Sequence, residues 1–202
     1  SRMTFMAGNS IIGAAKKAVE KWQKGERPAK GSFVYKPPAT TPMDEETGAC
    51  IPNFSYGYVA ESVEVSVNIK TGKVKLIDVK CADDVGKAIN PIQVRGQIEG
   101  AIVQAAGYTL LENFIQIDGL VKSDSLATYL IPTIMDIPKR TESIILEEID
   151  PIGPVGARGM AEMPFMPFAP AVLTAVHDAT GVWFNEFPLT EETVLKGLGK
   201  IK

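Results

Sequence analysis

One histidine, His177, and two well-separated cysteines, Cys50 and Cys81, are all the soft metal ligands that 202 residues provide. A catalytic zinc usually takes several ligands of these types, so such a centre is disfavoured, and any mechanism that needs a histidine pair is excluded. A Ser-His-Asp triad would have to use His177, which sits inside an apolar helical pattern and reads as a helix-face histidine. Two isolated cysteines form neither a disulfide framework nor a metal cluster. They fit a reducing compartment, and a cytoplasmic location is expected. No apolar run approaches the roughly 20 residues that span a bilayer. The opening SRMTFMAGNS lacks the basic, apolar and cleavage regions of a signal peptide. With 21 Lys and Arg against 24 Asp and Glu, there is no basic footprint for nucleic acid. What remains is the apolar content of an ordinary globular chain, 45%, enough for one large domain or two small ones.

The periodicities predict an α+β pattern with no repeated βαβ spacing. Ile11, Ala15, Val19 and Trp22 recur at helical spacing, so a helix is expected from Ser10 to Gly25, capped by Asn9 or Ser10 and ended by Gly25. Residues 26–53, rich in Pro, Gly, Thr and Lys, read as a long loop. Val63, Val65, Val67 and Ile69 alternate with polar residues, which predicts a strand with one covered face. Lys70 to Lys73 is then a hairpin turn, with Gly72 free to take positive φ, and the return strand runs to about Cys81. A helix is expected over 92–113, studded with Gly96, Gly100 and Gly107. Glycine costs about 1 kcal/mol against alanine in a helix, so several together imply close approach by a backbone or a ligand. Short strands are expected at 114–117 and 143–149, with 129–133 extended before and around Pro132. A helix over 167–179 should stop at Gly181, and Thr190 should cap a last short helix.

Three segments could carry chemistry. In GPVGARGMAEMPFMPFAPAV, Gly153, Gly156 and Gly159 let the backbone approach a bound group and offer N–H donors to anionic oxygens. Arg158 adds a fixed positive charge. Glu162 follows among Met160, Met163, Phe165 and Met166, surroundings suited to a general base. In DDVGKAINPIQVRGQIEG, Asn90 can hold the turn before Pro91, and the Gln97 amide carries a donor and an acceptor for the edge of a heterocycle. Gln104, one helical face further on, could do the same or simply be solvated. At the N-terminus, Ser1, Arg2 and Thr4 with nearby backbone N–H groups could bind phosphate. Taken singly, each has an ordinary structural reading: a solvated glutamate, a common loop-to-helix junction and a capped helix entrance.

In this order, the segments resemble the C-terminal half of the molybdopterin-binding subunit in the xanthine dehydrogenase and aldehyde oxidase family. SRMTFMAGNSIIGAAKKA is similar to that family's serine-bearing cofactor segment. The stretch from Tyr58 to Asn113 resembles its hairpin, DxGxxxNP loop and GQxEG helix. TYLIPTIMDIP is similar to DYxIPTxxDxP, and GARGMAEMP with the PLTEETVL ending resembles GAKGxGExP and PxTxExVL. Three departures stand out: Arg158 replaces the usual lysine, Ala161 replaces the glycine before the glutamate, and QAAGYTLLEN replaces QGLGxALxEE.

The resemblance implies a C-terminal cofactor-binding domain over 1–202, any subdomain split falling near 115–150, with the upstream half of the subunit outside this chain. It implies a molybdenum-molybdopterin cofactor, the presence of a dinucleotide tail left open, held without a direct protein ligand to the metal. Ser1, Arg2, Thr4, Asn90, Gln97, Arg158, Gly159, Met160 and Ala161 would lie at the cofactor, and Glu162 would be the catalytic base. The implied reaction is oxidative hydroxylation of a purine-like or nicotinate-like heterocycle, or of an aldehyde. Electrons would leave through iron–sulfur clusters and FAD on partner subunits or domains. Alone, the chain is not expected to turn over. A degenerate binding or assembly module of the same fold is the competing reading, and it predicts that the groove is filled or that the Glu162 side chain is tied up elsewhere. A hydrolase is a weaker third.

Overall fold

The computed structural model describes residues 2–202. Ten elements follow in order, and by the packing of the backbone they belong to two compact units. The first unit is the chain up to Tyr58, with Asp84–Pro91 and Leu146–Met160; the second is Val59–Asp83, Ile92–Ile145 and Ala161–Lys202.

In the first unit, helix α1 spans Arg2–Gln23. It begins eight residues earlier than the periodicity predicts, because nothing from Arg2 to Gly8 breaks a helix. Asn9 therefore lies inside the helix rather than capping it, and its Nδ2 donates to the Ile152 carbonyl at 3.1 Å. A Cβ on Gly8 would come 2.7 Å from Pro154, so the helix rides close on the turn at Pro154–Gly156. Phe5 is the buried anchor, its ring 5.5 Å from that of Phe54. The apolar stripe is exposed: Ile11 is 67% and Trp22 55% accessible. Small residues hold the other side, where Gly31 abuts the backbone at Ala14 and Gly13 abuts the Phe33 ring. Hydropathy picked out the apolar stripe, whereas steric access chose the glycine and alanine face. The long stretch after α1 has no helix or named strand, only a bridge between Thr41 and Ile51 and a turn that Asp44 closes with Thr47.

The second unit is built on a three-stranded sheet in the order β1-β2-β5, from Tyr58–Val67, Val74–Asp84 and Arg140–Leu146. β1 alternates as predicted. In β2, burial slips by one residue across Ile77–Asp78, so that Leu76, Val79, Cys81 and Asp83 are the buried positions. Such a slip is what an extra residue in a strand produces. Asn68 and Lys73 close the hairpin at 2.9 Å, and Gly72 has φ 79° with the backbone of Glu191 where a Cβ would be. Helix α2 is Pro91–Leu110, α3 Phe165–Thr180 and α4 Glu191–Gly197. Ile98 and Ile102 of α2, with Phe168, Val172 and Val176 of α3, are fully buried. Each such side chain contributes about 1.5–3 kcal/mol by leaving water.

Helix ends follow the sequence signals. Gly181 ends α3 at φ 74°, its N–H donating to His177, and Thr190 Oγ1 accepts from the Thr193 N–H at 3.1 Å. His177 stacks on Trp183 with ring centroids 4.0 Å apart, as a helix-face histidine. Two expectations shift. The piece at 114–117 is only Gln116–Ile117, paired antiparallel with Leu120–Val121 through Asp118 and Gly119, both at positive φ. That Asp-Gly pair is a hairpin signal the sequence reading passed over. The strand expected at 143–149 starts earlier and ends at Leu146, after which the chain turns into the glycine-rich loop.

Candidate functional site

In the first unit, the loop after β2 and the glycine-rich loop are joined through Arg158. Its Nε lies 3.3 Å from Asp84 Oδ2 and its Nη1 3.7 Å from Asp150 Oδ2. Nη1 also donates to the Tyr56 carbonyl at 2.8 Å, and Nη2 to the Glu148 carbonyl at 3.3 Å. The second oxygen of each aspartate is occupied as well. Asp84 Oδ1 accepts the N–H groups of Gly86 and Glu148, and Asp150 Oδ1 those of Ile152 and Gly153. The backbone completes the joint: Arg158 N–H donates to Val85 at 2.8 Å, and Lys87 N–H to Gly156 at 2.8 Å. Gly86 has φ 61°, and a Cβ there would collide with the Gly156 carbonyl.

This packing reassigns part of the glycine-rich loop. Gly153 and Gly156 were expected to offer N–H donors to a bound group. Instead they donate to Asp150 and to the Gly153 carbonyl, and the space where each Cβ would lie is taken by Ala157 and Ile149. The Arg158 guanidinium is likewise spent on internal oxygens. The pattern changes after Arg158. Gly159, Met160 and Ala161 are half-buried, and their N–H groups donate to nothing among the described residues. Gly159 and Met160 end the first unit, and Ala161 opens the second.

Arg2 and Thr4 occupy the first turn of α1 itself and are exposed, and Ser1 lies outside the described residues. Asn90 is exposed just before Pro91. In the second unit, Gln97 is exposed on α2, on the side where Cβ atoms added at Gly96 and Gly100 would meet open space. Gly107 is different: Glu112 and Pro132 press on it, so that glycine serves packing. Glu162 is exposed in the turn before α3, its carbonyl accepting from the Phe165 N–H at 3.1 Å. Its carboxylate has no hydrogen-bond or ion-pair partner among the described residues. Phe165 stacks on Tyr108 of α2 with ring centroids 5.6 Å apart, and Tyr108 lies 5.2 Å from Phe187, which fixes the start of α3 beside α2. Met166 is 75% accessible, so the apolar surroundings expected for Glu162 are open on that side.

The sequence reading missed Asp84 and Asp150. The signal was present: Asp two residues before Gly in DVG, and Asp before Pro-Ile-Gly, are patterns in which a carboxylate bonds backbone N–H groups further on.

In the first unit the N–H groups of Gly159 and Met160 are unused, and in the second so are the Ala161 N–H, the Glu162 carboxylate and the Gln97 amide, among the described residues. Comparison with known proteins defines the class. The family model of the molybdopterin cofactor-binding domain matches residues 21–138. A probable xanthine dehydrogenase subunit of Bacillus subtilis is 38% identical over 168 residues, covering 79% of this chain and 22% of that protein. The probable hypoxanthine oxidase XdhD of Escherichia coli K12 is 37% identical over 157 residues, covering 77% of this chain and 16% of that protein. Among solved structures, the aldehyde oxidoreductase of Desulfovibrio gigas superposes with a TM-score of 0.80 at 29% identity, over 98% of this chain and 23% of that one. This chain belongs to the molybdopterin cofactor-binding domain family, and both that expectation and the α+β fold hold. It spans about a fifth of the length of these relatives. No helix among the described residues is long and apolar enough to cross a membrane.

Proposed function

We propose that this chain is the cofactor-binding part of a molybdenum hydroxylase that hydroxylates a purine-like or nicotinate-like heterocycle, or an aldehyde, with oxygen drawn from water. The carrying observation is the run of unbonded N–H groups at Gly159, Met160 and Ala161, leading directly to the unpaired carboxylate of Glu162. The names of the relatives, a xanthine dehydrogenase subunit and a hypoxanthine oxidase, support the heterocyclic choice.

When bound, the molybdenum–molybdopterin cofactor would supply the two-electron redox chemistry by which a C–H group and water become a C–OH group with release of two protons, and iron–sulfur and flavin partners would take the electrons on. The chain's own residues bind, orient and move a proton. The N–H groups of Gly159, Met160 and Ala161 donate to cofactor oxygens, and preorganised donors of this kind cost no rearrangement when charge develops. The Gln97 amide, with both a donor and an acceptor, pairs with the edge of the pterin. Arg2, Thr4 and Asn90, together with Ser1, contribute at its periphery. Glu162 takes the proton that must leave the water-derived oxygen as it attacks carbon. Turnover requires the upstream half of the subunit.

The test is copurification with that upstream half, comparing wild type with Glu162→Gln. Molybdenum should be retained in both, with kcat roughly 10²- to 10⁴-fold lower in the variant, the usual worth of a positioned base. Full activity in Glu162→Gln, or no molybdenum in the assembled wild type, refutes the reading. The degenerate-module alternative predicts either a filled groove or an engaged Glu162, and against the second branch the Glu162 carboxylate has no partner among the described residues.

A further inference from the structure

The Arg158 guanidinium is held inside the chain by two ion pairs and two hydrogen bonds, although its buried Nε has no hydrogen-bond partner among the described residues. Two nearly buried aspartates face it, two backbone carbonyls accept from it, and the Tyr58 ring lies 5.3 Å from its central carbon. The aspartates in turn hold the N–H groups of Gly86, Glu148, Ile152 and Gly153. Ser55 adds its hydroxyl to Asp150 Oδ2 at 3.1 Å. Arg158 is thus the centre of a closed brace over four stretches of the first unit: 55–58, 84–87, 148–153 and Arg158 itself. A cation that served the cofactor would leave an uncompensated acid pair behind.

We propose that Arg158 is a positioning residue, not a cofactor ligand, and that with Asp84 and Asp150 it sets the direction of the unbonded N–H groups of Gly159 and Met160 that end the first unit. The reason is geometric. The chain passes from the last braced residue to the first unbonded N–H without an intervening residue, so the direction of Gly159 is inherited from Arg158. Arg158 N–H is itself pinned to Val85, whose neighbour Gly86 leaves no room for a Cβ. Lysine at this position would keep a charge near Asp84. It cannot reach two carbonyls and two carboxylates at once, because its ammonium is a single point while the guanidinium is a planar fork. The chain's departure from lysine here therefore tightens the loop.

The inference rests on the reading of Glu162 above, and its test separates the two. In the assembled enzyme, Arg158→Lys and Arg158→Gln are compared with wild type for molybdenum content, for kcat and KM, and for amide hydrogen exchange at 85–87 and 152–158. A brace predicts full molybdenum content and faster exchange at those amides. It also predicts kcat lowered roughly 10- to 100-fold in Arg158→Gln, the scale of a misplacement of about 1 Å, with partial rescue in Arg158→Lys and little change in KM. A purely structural arginine would accelerate exchange yet leave kcat per molybdenum unchanged, which overturns the proposal. Loss of molybdenum in proportion to activity, with exchange unchanged, makes Arg158 a cofactor ligand and overturns it too. If Glu162→Gln proves fully active while the Arg158 exchange result stands, the brace survives and only the assignment of the base fails.

Discussion

Replacing Glu61 by glutamine should make the protein more stable, by an amount that grows as pH rises from about 4.5 to about 7. Glu61 projects from β1, and both of its carboxylate oxygens are shut off from solvent without a hydrogen-bond partner among the described residues. Nearby on β2, the Cys81 thiol donates to Asp83 Oδ2 at 3.0 Å, and Asp83 Oδ1 has no partner. Burial pushes Glu61 up from 4.5 to about 7; the thiol pulls weakly the other way, and the neighbouring Asp83 adds to the rise. Burial raises Asp83 as well, against its bond from Cys81. A carboxyl raised in the fold holds a proton that the unfolded chain has released. The unfolding free energy therefore falls as pH climbs from about 4.5 to about 7 and flattens beyond. At about 1.4 kcal/mol per tenfold, the Glu61 rise from 4.5 to about 7 sets a ceiling of about 3.5 kcal/mol. The side chain is only half-buried, so we discount this to about 2 kcal/mol for solvent screening. Urea unfolding from pH 5 to pH 8 is the assay. Glu61→Gln should match wild type within ~0.5 kcal/mol at pH 5 and exceed it by about 2 kcal/mol at pH 8, since a neutral amide escapes the ionisation penalty. Parallel pH profiles, or a variant less stable at pH 8, would refute the argument.

The glycines give sharper tests than the charges. Gly86→Ala places a Cβ against the Gly156 carbonyl at φ 61°. It should cost about 2–4 kcal/mol, read as a lower urea midpoint with unchanged slope. Gly96→Ala, at a helical position with open space around it, should raise stability by about 1 kcal/mol, while bulk there would obstruct a cofactor lying along α2. Unchanged molybdenum content in Gly96→Leu would remove that face of α2 from the site. Thr190→Ala deletes the cap on α4 and should cost about 1 kcal/mol; a negligible change in urea stability would show that other contacts hold the α4 terminus. Gln97→Ala should lower pterin content at constant stability, measured as released pterin fluorescence per protein.

Much of the secondary structure was legible because its causes are local. The valine alternation of β1, the stop at Gly181 and the cap at Thr190 each depend on a few adjacent residues, and each appears where expected. The chemistry-bearing segments could also be named, since residue types and spacings suffice for that. Which atoms within them are available could not be read. Gly153, Gly156 and Arg158 look like anion-binding groups in sequence, yet Asp150, Asp84 and two carbonyls consume them, leaving the adjacent N–H groups of Gly159 to Ala161 unused. The first turns of α1 and its exposed Ile11 and Trp22 show the same limit, because Gly8, Gly13 and Gly31 chose the packed side by how closely they let backbones approach. Sequence determined which donors, acids and glycines exist and how each folds locally. Only tertiary structure decided which polar atoms were paired with one another and which remained for a ligand, because that pairing joins residues up to 143 positions apart in the chain.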